Sequence, residues 1–266
     1  MADPRFAANL TLLFTELPFL ERIGAAASAG FEGVECQLPY DHPADHLLHA
    51  LRGAGVALVL HNLPAGDWAA GERGIACHPD RVDEFRAGVG RAVHYATRLK
   101  CPAVNCLAGL RPAGASEEMA RATFVENLAY AARVTGDAGL TLLVEPINGI
   151  DVPGFLLRRA DDAVALIREV GARNLRVQLD LYHVAREGED LVATIERVGG
   201  HIGHVQIADA PGRHEPGTGA LDLALAFRAL DRAGYAGWVG CEYNPLAGTA
   251  EGLGWRSAYM TERRTE

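Results

Sequence analysis

Glu145, Asp180, Gln206 and Glu242 stand at or near the ends of four apolar runs, TLLVEPIN, RVQLD, HVQIAD and WVGCEY. Three carboxylates and an amide offer oxygen donors, a set suited to a hard divalent cation such as Mg2+ or Mn2+; zinc would call for His and Cys. A convergent trio of carboxylates inside a protein needs positive charge nearby, because each uncompensated buried anion costs several kcal/mol in lost solvation. Any one of the four is read equally well as a polar residue at a water-facing strand end. The argument for a site rests on all four at this spacing.

The intervals between them are on the order of thirty residues, the length of one strand, one helix and two loops in a (β/α)8 barrel of about 250 residues. Four further apolar runs, RFAANL, GVECQL, ALVLHN and AVNCLAG, bring the candidate strands to eight, the number that closes such a barrel. Segments of helical period lie between them. In PDRVDEFRAGVGRAVHYATRL, for example, Val82, Phe85, Val89 and Val93 recur at helical intervals with charged residues on the other face. The fold class expected is therefore α/β, a single-domain (β/α)8 TIM barrel over residues 1–266. The rival, an open doubly wound sheet, loses its best support because no GxGxxG follows the first strand.

Side chains alternate along a strand, so Trp238, Gly240 and Glu242 share one face, with Val239, Cys241 and Tyr243 opposite. The same rule pairs His204 with Gln206 and Gln178 with Asp180. Polar residues thus fall on the lumen side. The loop LPAGDWAAGERGIACH is longer than most βα connections and rich in Gly, which suits a lid or substrate loop.

The chain has 266 residues, 49% hydrophobic and 22% charged, with no linker or compositional shift to divide it. A net charge of -9 and the lack of a basic patch argue against nucleic acid as a partner. No apolar run is long enough to span a membrane, and MADPRFAANLTLLF lacks the layout of a signal peptide, so a cytoplasmic protein is expected. Five cysteines without a CxxC pair fit that compartment; Cys77, in a polar loop, is the one considered for thiol chemistry, with burial the better reading.

At LHNLPAGDWAAGERGIAC, EPIN, DLYH, HVQIADAPGRHEPGTG and WVGCEY, nearly the whole chain resembles the hydroxypyruvate isomerase family of the xylose-isomerase-like TIM-barrel superfamily. The resemblance implies isomerisation of a small hydroxy-oxo acid, hydroxypyruvate to tartronate semialdehyde, with a divalent metal on Glu145, Asp180, Gln206 and Glu242 and with Glu145 and Glu242 as the proton-transferring pair. The chemistry agrees, since moving a carbonyl by one carbon passes through an enediolate that needs proton shuttles and charge stabilisation.

Around this centre His183 in DLYH is expected to donate a hydrogen bond to a substrate oxygen, and Arg213 in APGR to bind a carboxylate. Glu72 and Arg73 would contact the substrate or fasten the lid, and His61, at the end of the third strand, would contact substrate or orient the loop that follows. The bland alternatives are a loop histidine, a solvated arginine and a surface ion pair. A 2-oxotetronate isomerase is the nearest rival, sugar epimerisation is weaker, and a metal-dependent sugar-acid-binding barrel without turnover is the reading from another class. Abasic-site endonucleases of the superfamily carry additional His ligands that this chain lacks. A homo-oligomer is left open.

Overall fold

Each apolar run forms a strand, and each strand is followed by a return on the outside. The computed structural model describes residues 3–260, in which eight parallel strands form a closed barrel in chain order. They are β1 (Arg5–Asn9), β2 (Gly33–Cys36), β3 (Ala57–Asn62), β4 (Ala103–Cys106), β5 (Thr141–Val144), β6 (Leu175–Asp180), β7 (Ile202–Ile207) and β8 (Trp238–Cys241). Closure is made where β1 pairs with β8, from Arg5 opposite Trp238 to Ala8 opposite Cys241. The expected fold class is the one observed.

The helices α1 (Phe19–Ser28), α2 (Ala44–Ala54), α3 (Val82–Leu99), α4 (Glu117–Asp137), α5 (Ala160–Val170), α6 (Leu181–Arg186), α7 (Leu191–Val198) and α8 (Leu223–Arg232) supply the outer layer. In α3 the buried stripe is Phe85, Val89, Ala92, Ala96 and Leu99, while Val82 and Val93 are half-buried at its margin. Burying one Phe or Leu of such a stripe contributes roughly 1.5–3 kcal/mol, more than helix propensity supplies. Caps set the starts: Ser116 accepts from Met119 N at 3.1 Å, and Asp222 from Leu225 N at 2.9 Å. No helix among the described residues is long and apolar enough to cross a membrane.

Two layers fill the barrel. Ala7, Val59, Leu60, Ala103 and Leu143, with Trp238 packed against them, form an apolar cluster separate from the outer core. Toward the C-terminal ends of the strands the residues become polar and buried: Asn9, Glu35, Asn62, Asn105, Gln178, Asp180, His204 and Gln206. A register shift between Val177 and Gln178 sets Gln178 opposite His204 and Asp180 opposite Gln206, so these side chains share a level. The barrel is dry at one end and chemically equipped at the other.

Candidate active site

Asp180 is the last residue of β6 and the N-cap of α6, where its Oδ1 accepts from Tyr182 N at 2.9 Å. That bond fixes the carboxylate, and its other oxygen, Oδ2, is buried without a hydrogen-bond partner among the described residues. Glu145 and Glu242 lie one residue beyond β5 and β8 and are 5% and 4% exposed. Asn105 Nδ2 donates to Glu145 at 2.9 Å, and Gln37 Nε2 donates to Glu242 at 2.6 Å. Ligand-type atoms of Glu145, Asp180 and His183 all lie within 4.8 Å of one another.

Positive charge reaches this cluster from Arg213, whose Nη2 is 3.6 Å from Asp180 Oδ2 and 3.4 Å from Glu242 Oε1. Burial still dominates the carboxylates. It pushes Glu242 up to about 7 and Asp180 up to about 6, with Arg213 opposing in both cases. Glu145 is raised well above the usual carboxylate range, first by burial and then by the charges of Glu242 and Asp180. One member of this group can therefore hold a proton near neutrality.

His183 is held in a single tautomer. Asn148 Oδ1 accepts from the backbone N–H groups of Ile150 and Asp151, at 3.1 and 2.8 Å, so its Nδ2 faces His183 Nδ1 at 2.6 Å. Burial, with Arg213 adding to it, lowers the imidazole pKa well below normal, so the ring is neutral. Its Nδ1 accepts, so Nε2 carries the hydrogen and faces Asp180 Oδ2 and Glu145 Oε1, 3.7 and 3.9 Å away. In this tautomer Nε2 is a donor aimed at the space between the carboxylates and has no free lone pair for a metal. The orphaned Asp180 oxygen and the oxygen donors of Glu145, Asp180 and Glu242 fit a hard divalent cation. Gln206 is close by, but its Oε1 accepts from Gln178 Nε2 at 2.5 Å.

The cavity above these groups has a volume of about 100 Å³ and is lined by Glu145, His183, Gln206, Arg213 and Glu242 together with Trp68 and Arg73 of the long loop. It is sized for a small molecule, with about three times a water's share of liquid volume. Arg73 stacks its guanidinium 4.1 Å above the Trp68 ring and donates to Trp68 O.

Glu72 and His61 do not line this cavity. Glu72 turns away from the cavity to pair with Arg81 and to accept from Asp67 N, so it fastens the loop. His61 stands between Leu60 and Asn62, which line the cavity, and so turns outward. Its ring meets Tyr40 edge-on, with the two centroids 5.9 Å apart. Cys77 is buried, and loss of solvation pushes its thiol up to about 12, which leaves no thiolate for catalysis.

Glu35, Gln37, Asn62, Asn105 and Trp68 were not singled out from the sequence. Alternation in GVECQL sets Glu35 and Gln37 on one face, the signal that was available for both. For Trp68 no periodic signal exists, because a loop has none.

A family model described as xylose isomerase-like TIM barrel matches residues 23–259. The chain belongs to that family. Within it, the chain is 49% identical over 255 residues to the hydroxypyruvate isomerase of Escherichia coli (strain K12), covering 96% of this chain and 99% of that one. It is 47% identical over 257 residues to the 2-oxo-tetronate isomerase of Cupriavidus necator, covering 97% and 99%. A crystal structure titled AP endonuclease, family 2, from Brucella melitensis superposes with a TM-score of 0.94 at 46% identity, covering 97% of this chain and all of that one. With full-length relatives of this kind, the chain is an isomerase of the hydroxypyruvate isomerase family.

Proposed function

We propose that this isomerase interconverts hydroxypyruvate and tartronate semialdehyde through an enediolate. The observation that carries the reading is a pair of buried glutamates with raised pKa values, Glu145 and Glu242, lining one small cavity with a charged arginine and a neutral histidine. One glutamate, as carboxylate, takes a proton from the hydroxymethyl carbon; the other, protonated, delivers one to the neighbouring carbon as its carbonyl becomes a hydroxyl. Transfer between the two substrate oxygens completes the exchange, and no electron donor or acceptor is needed.

Glu145, Asp180 and Glu242, with Gln206 as the fourth donor, would hold Mg2+ or Mn2+. When bound, the cation supplies Lewis-acid polarisation of the substrate oxygens. The Nε2–H of His183 donates to the oxygen on which charge develops, and its neutrality lets it do so without adding a proton to the balance. Arg73, which lines the cavity and pairs with no carboxylate among the described residues, binds the substrate carboxylate, while Arg213 balances Asp180 and Glu242. Trp68 helps to close the cavity against water.

The similar identities to a hydroxypyruvate isomerase and a 2-oxo-tetronate isomerase favour 2-oxotetronate as the second reading. One extra hydroxymethyl group is a difference of about 1–3 kcal/mol in a shaped pocket.

Proton NMR in deuterated water tests both. Mg2+-loaded protein is expected to exchange the hydroxymethyl protons of hydroxypyruvate and to yield tartronate semialdehyde, with Glu145→Gln and Glu242→Gln each abolishing turnover. Exchange of 2-oxotetronate alone would transfer the assignment to that acid. No exchange of either acid would replace catalysis with a sugar-acid-binding role.

A further inference from the structure

One layer below the mouth lies a carboxylate that the proposed chemistry does not use. Glu35 has no solvent exposure and accepts three hydrogen bonds: from Asn9 Nδ2 at 2.9 Å and Gln206 Nε2 at 2.7 Å, both to Oε1, and from His204 Nε2 at 2.7 Å to Oε2. Asn9 is its neighbour on β1, but Gln206 and His204 belong to β7, so Glu35 reaches across the lumen past β1 and β8. The room for that reach comes from Gly240 on β8. A Cβ built there would meet both Glu35 carboxylate oxygens at 2.4 Å, too close for the carboxylate to stay in place. Gly240 is also the residue opposite Gln206 in the β7–β8 register.

With Asn9 Nδ2, Gln206 Nε2 and His204 Nε2 all directed at its two oxygens, the Glu35 side chain serves as the acceptor, and the Gln206 amide stands with NH2 down toward Glu35 and the carbonyl oxygen away from it. We propose that Glu35 is a positioning residue that fixes the Gln206 carbonyl as an oxygen donor for the active-site cation. The inference rests on the cation reading given above. The Gln178 amide occupies one lone pair of that oxygen at 2.5 Å and leaves the second to face a cation. Replacing Glu35 by Gln keeps the shape but turns one acceptor into a donor. Either His204 or Gln206 then faces an N–H group, and the Gln206 amide is free to turn its NH2 toward the site. Partners of this outer kind, when changed, typically cost 10–100-fold in metal affinity.

Mn2+ titration by calorimetry, without substrate, tests this. The expected result is Mn2+ binding by the unaltered chain and roughly 10–100-fold weaker binding by Glu35→Gln. In a Gln206→Met background, Glu35→Gln is expected to cause no further loss, which a general loosening of the barrel would not reproduce. Gly240→Ala displaces the same carboxylate without changing charge; it should weaken Mn2+ binding likewise, and decides the matter if Glu35→Gln does not fold. Equal Mn2+ affinity in the folded variants, or full additivity with Gln206→Met, overturns the positioning role and leaves the cation reading standing. Failure of the unaltered chain to bind Mn2+ removes the cation reading, and the inference with it.

Discussion

His61 provides a test of placement that separates stability from catalysis. The side chain is fully buried, its Nε2 has no hydrogen-bond partner among the described residues, and its Nδ1 lies 3.1 Å from Asn62 O. Loss of solvation lowers its pKa to about 4, with the Asn62 carbonyl only partly opposing. In the unfolded chain a histidine titrates near 6.5. As pH falls, the unfolded chain takes up this proton first, so the stability linked to His61 is fully present above about pH 6.5 and is lost toward pH 4. Between pH 7.5 and pH 4.5 the linkage removes about 2.5 kcal/mol, a large share of a typical folding free energy of roughly 5–15 kcal/mol. The perturbation is His61→Gln, which keeps a donor for the Asn62 carbonyl and does not titrate. Urea unfolding of both proteins at the two pH values is the assay. The raised mouth carboxylates are common to both, so the difference of differences isolates His61. The variant should lose about 2.5 kcal/mol less than the unaltered chain on acidification, and its KM at pH 7.5 should be unchanged. Parallel losses would refute the burial argument, and a raised KM would put His61 back among the substrate contacts.

Other outcomes follow from the same geometry. Asp209 is 1% exposed and accepts from the backbone N–H groups of Ala210, Gly217 and Leu221 at 2.9, 2.8 and 3.0 Å, closing the loop that carries Arg213. Asp209→Ala should cost about 3 kcal/mol by urea unfolding and raise KM, and a loss under about 1 kcal/mol would show that water replaces the carboxylate. In chelator, the raised pKa values of Asp180 and Glu242 mean that the folded state holds protons the unfolded state has released, so their contribution falls as pH rises from about 4 to about 7. Mn2+ at a hundred times its Kd should add about 2.7 kcal/mol at pH 8. Thermal unfolding with and without Mn2+ reads this, and a gap that does not widen from pH 5 to pH 8 would contradict it. Trp68→Ala should raise KM several-fold with little change in stability, because the ring lies in a loop over the cavity and is only partly buried; an unchanged KM, checked by steady-state kinetics, would remove Trp68 from the substrate's surroundings.

What was legible in the sequence followed from periodicity. Eight apolar runs at βα spacing are the eight strands, and the alternation that set Trp238, Gly240 and Glu242 on one face is seen in Trp238 packed into the lumen cluster and Glu242 in the cavity. In ALVLHN alternation separates His61 from Asn62 without saying which of the two polar residues faces the lumen, and the strand is irregular, with the adjacent Val59 and Leu60 both in the lumen cluster. The expectation for His61 rests on the family resemblance, which carries no information on the phase of this strand. Glu35 had the right phase, but no local feature of GVECQL tells a carboxylate that crosses the barrel from one that ends in the helix layer. That information is held jointly by Asn9, His204, Gln206 and Gly240 on three other strands.

The long loop shows a different limit. Glu72 and Arg73 are adjacent and oppositely charged, yet only Arg73 lines the cavity, and Arg81, just before α3, draws Glu72 away from it. Glu72 folds back so closely on the loop that a Cβ at Gly66 would meet its carboxylate at 2.1 Å, and Gly66 holds a φ of 82°, which a side chain would strain. The loop is thus shaped by a glycine, a carboxylate and an arginine from beyond its own end, leaving Trp68 and Arg73 to face the site. Charge alone marks a loop residue as a candidate. Which of two neighbouring charges faces the cavity depends on which one the rest of the chain has already neutralised.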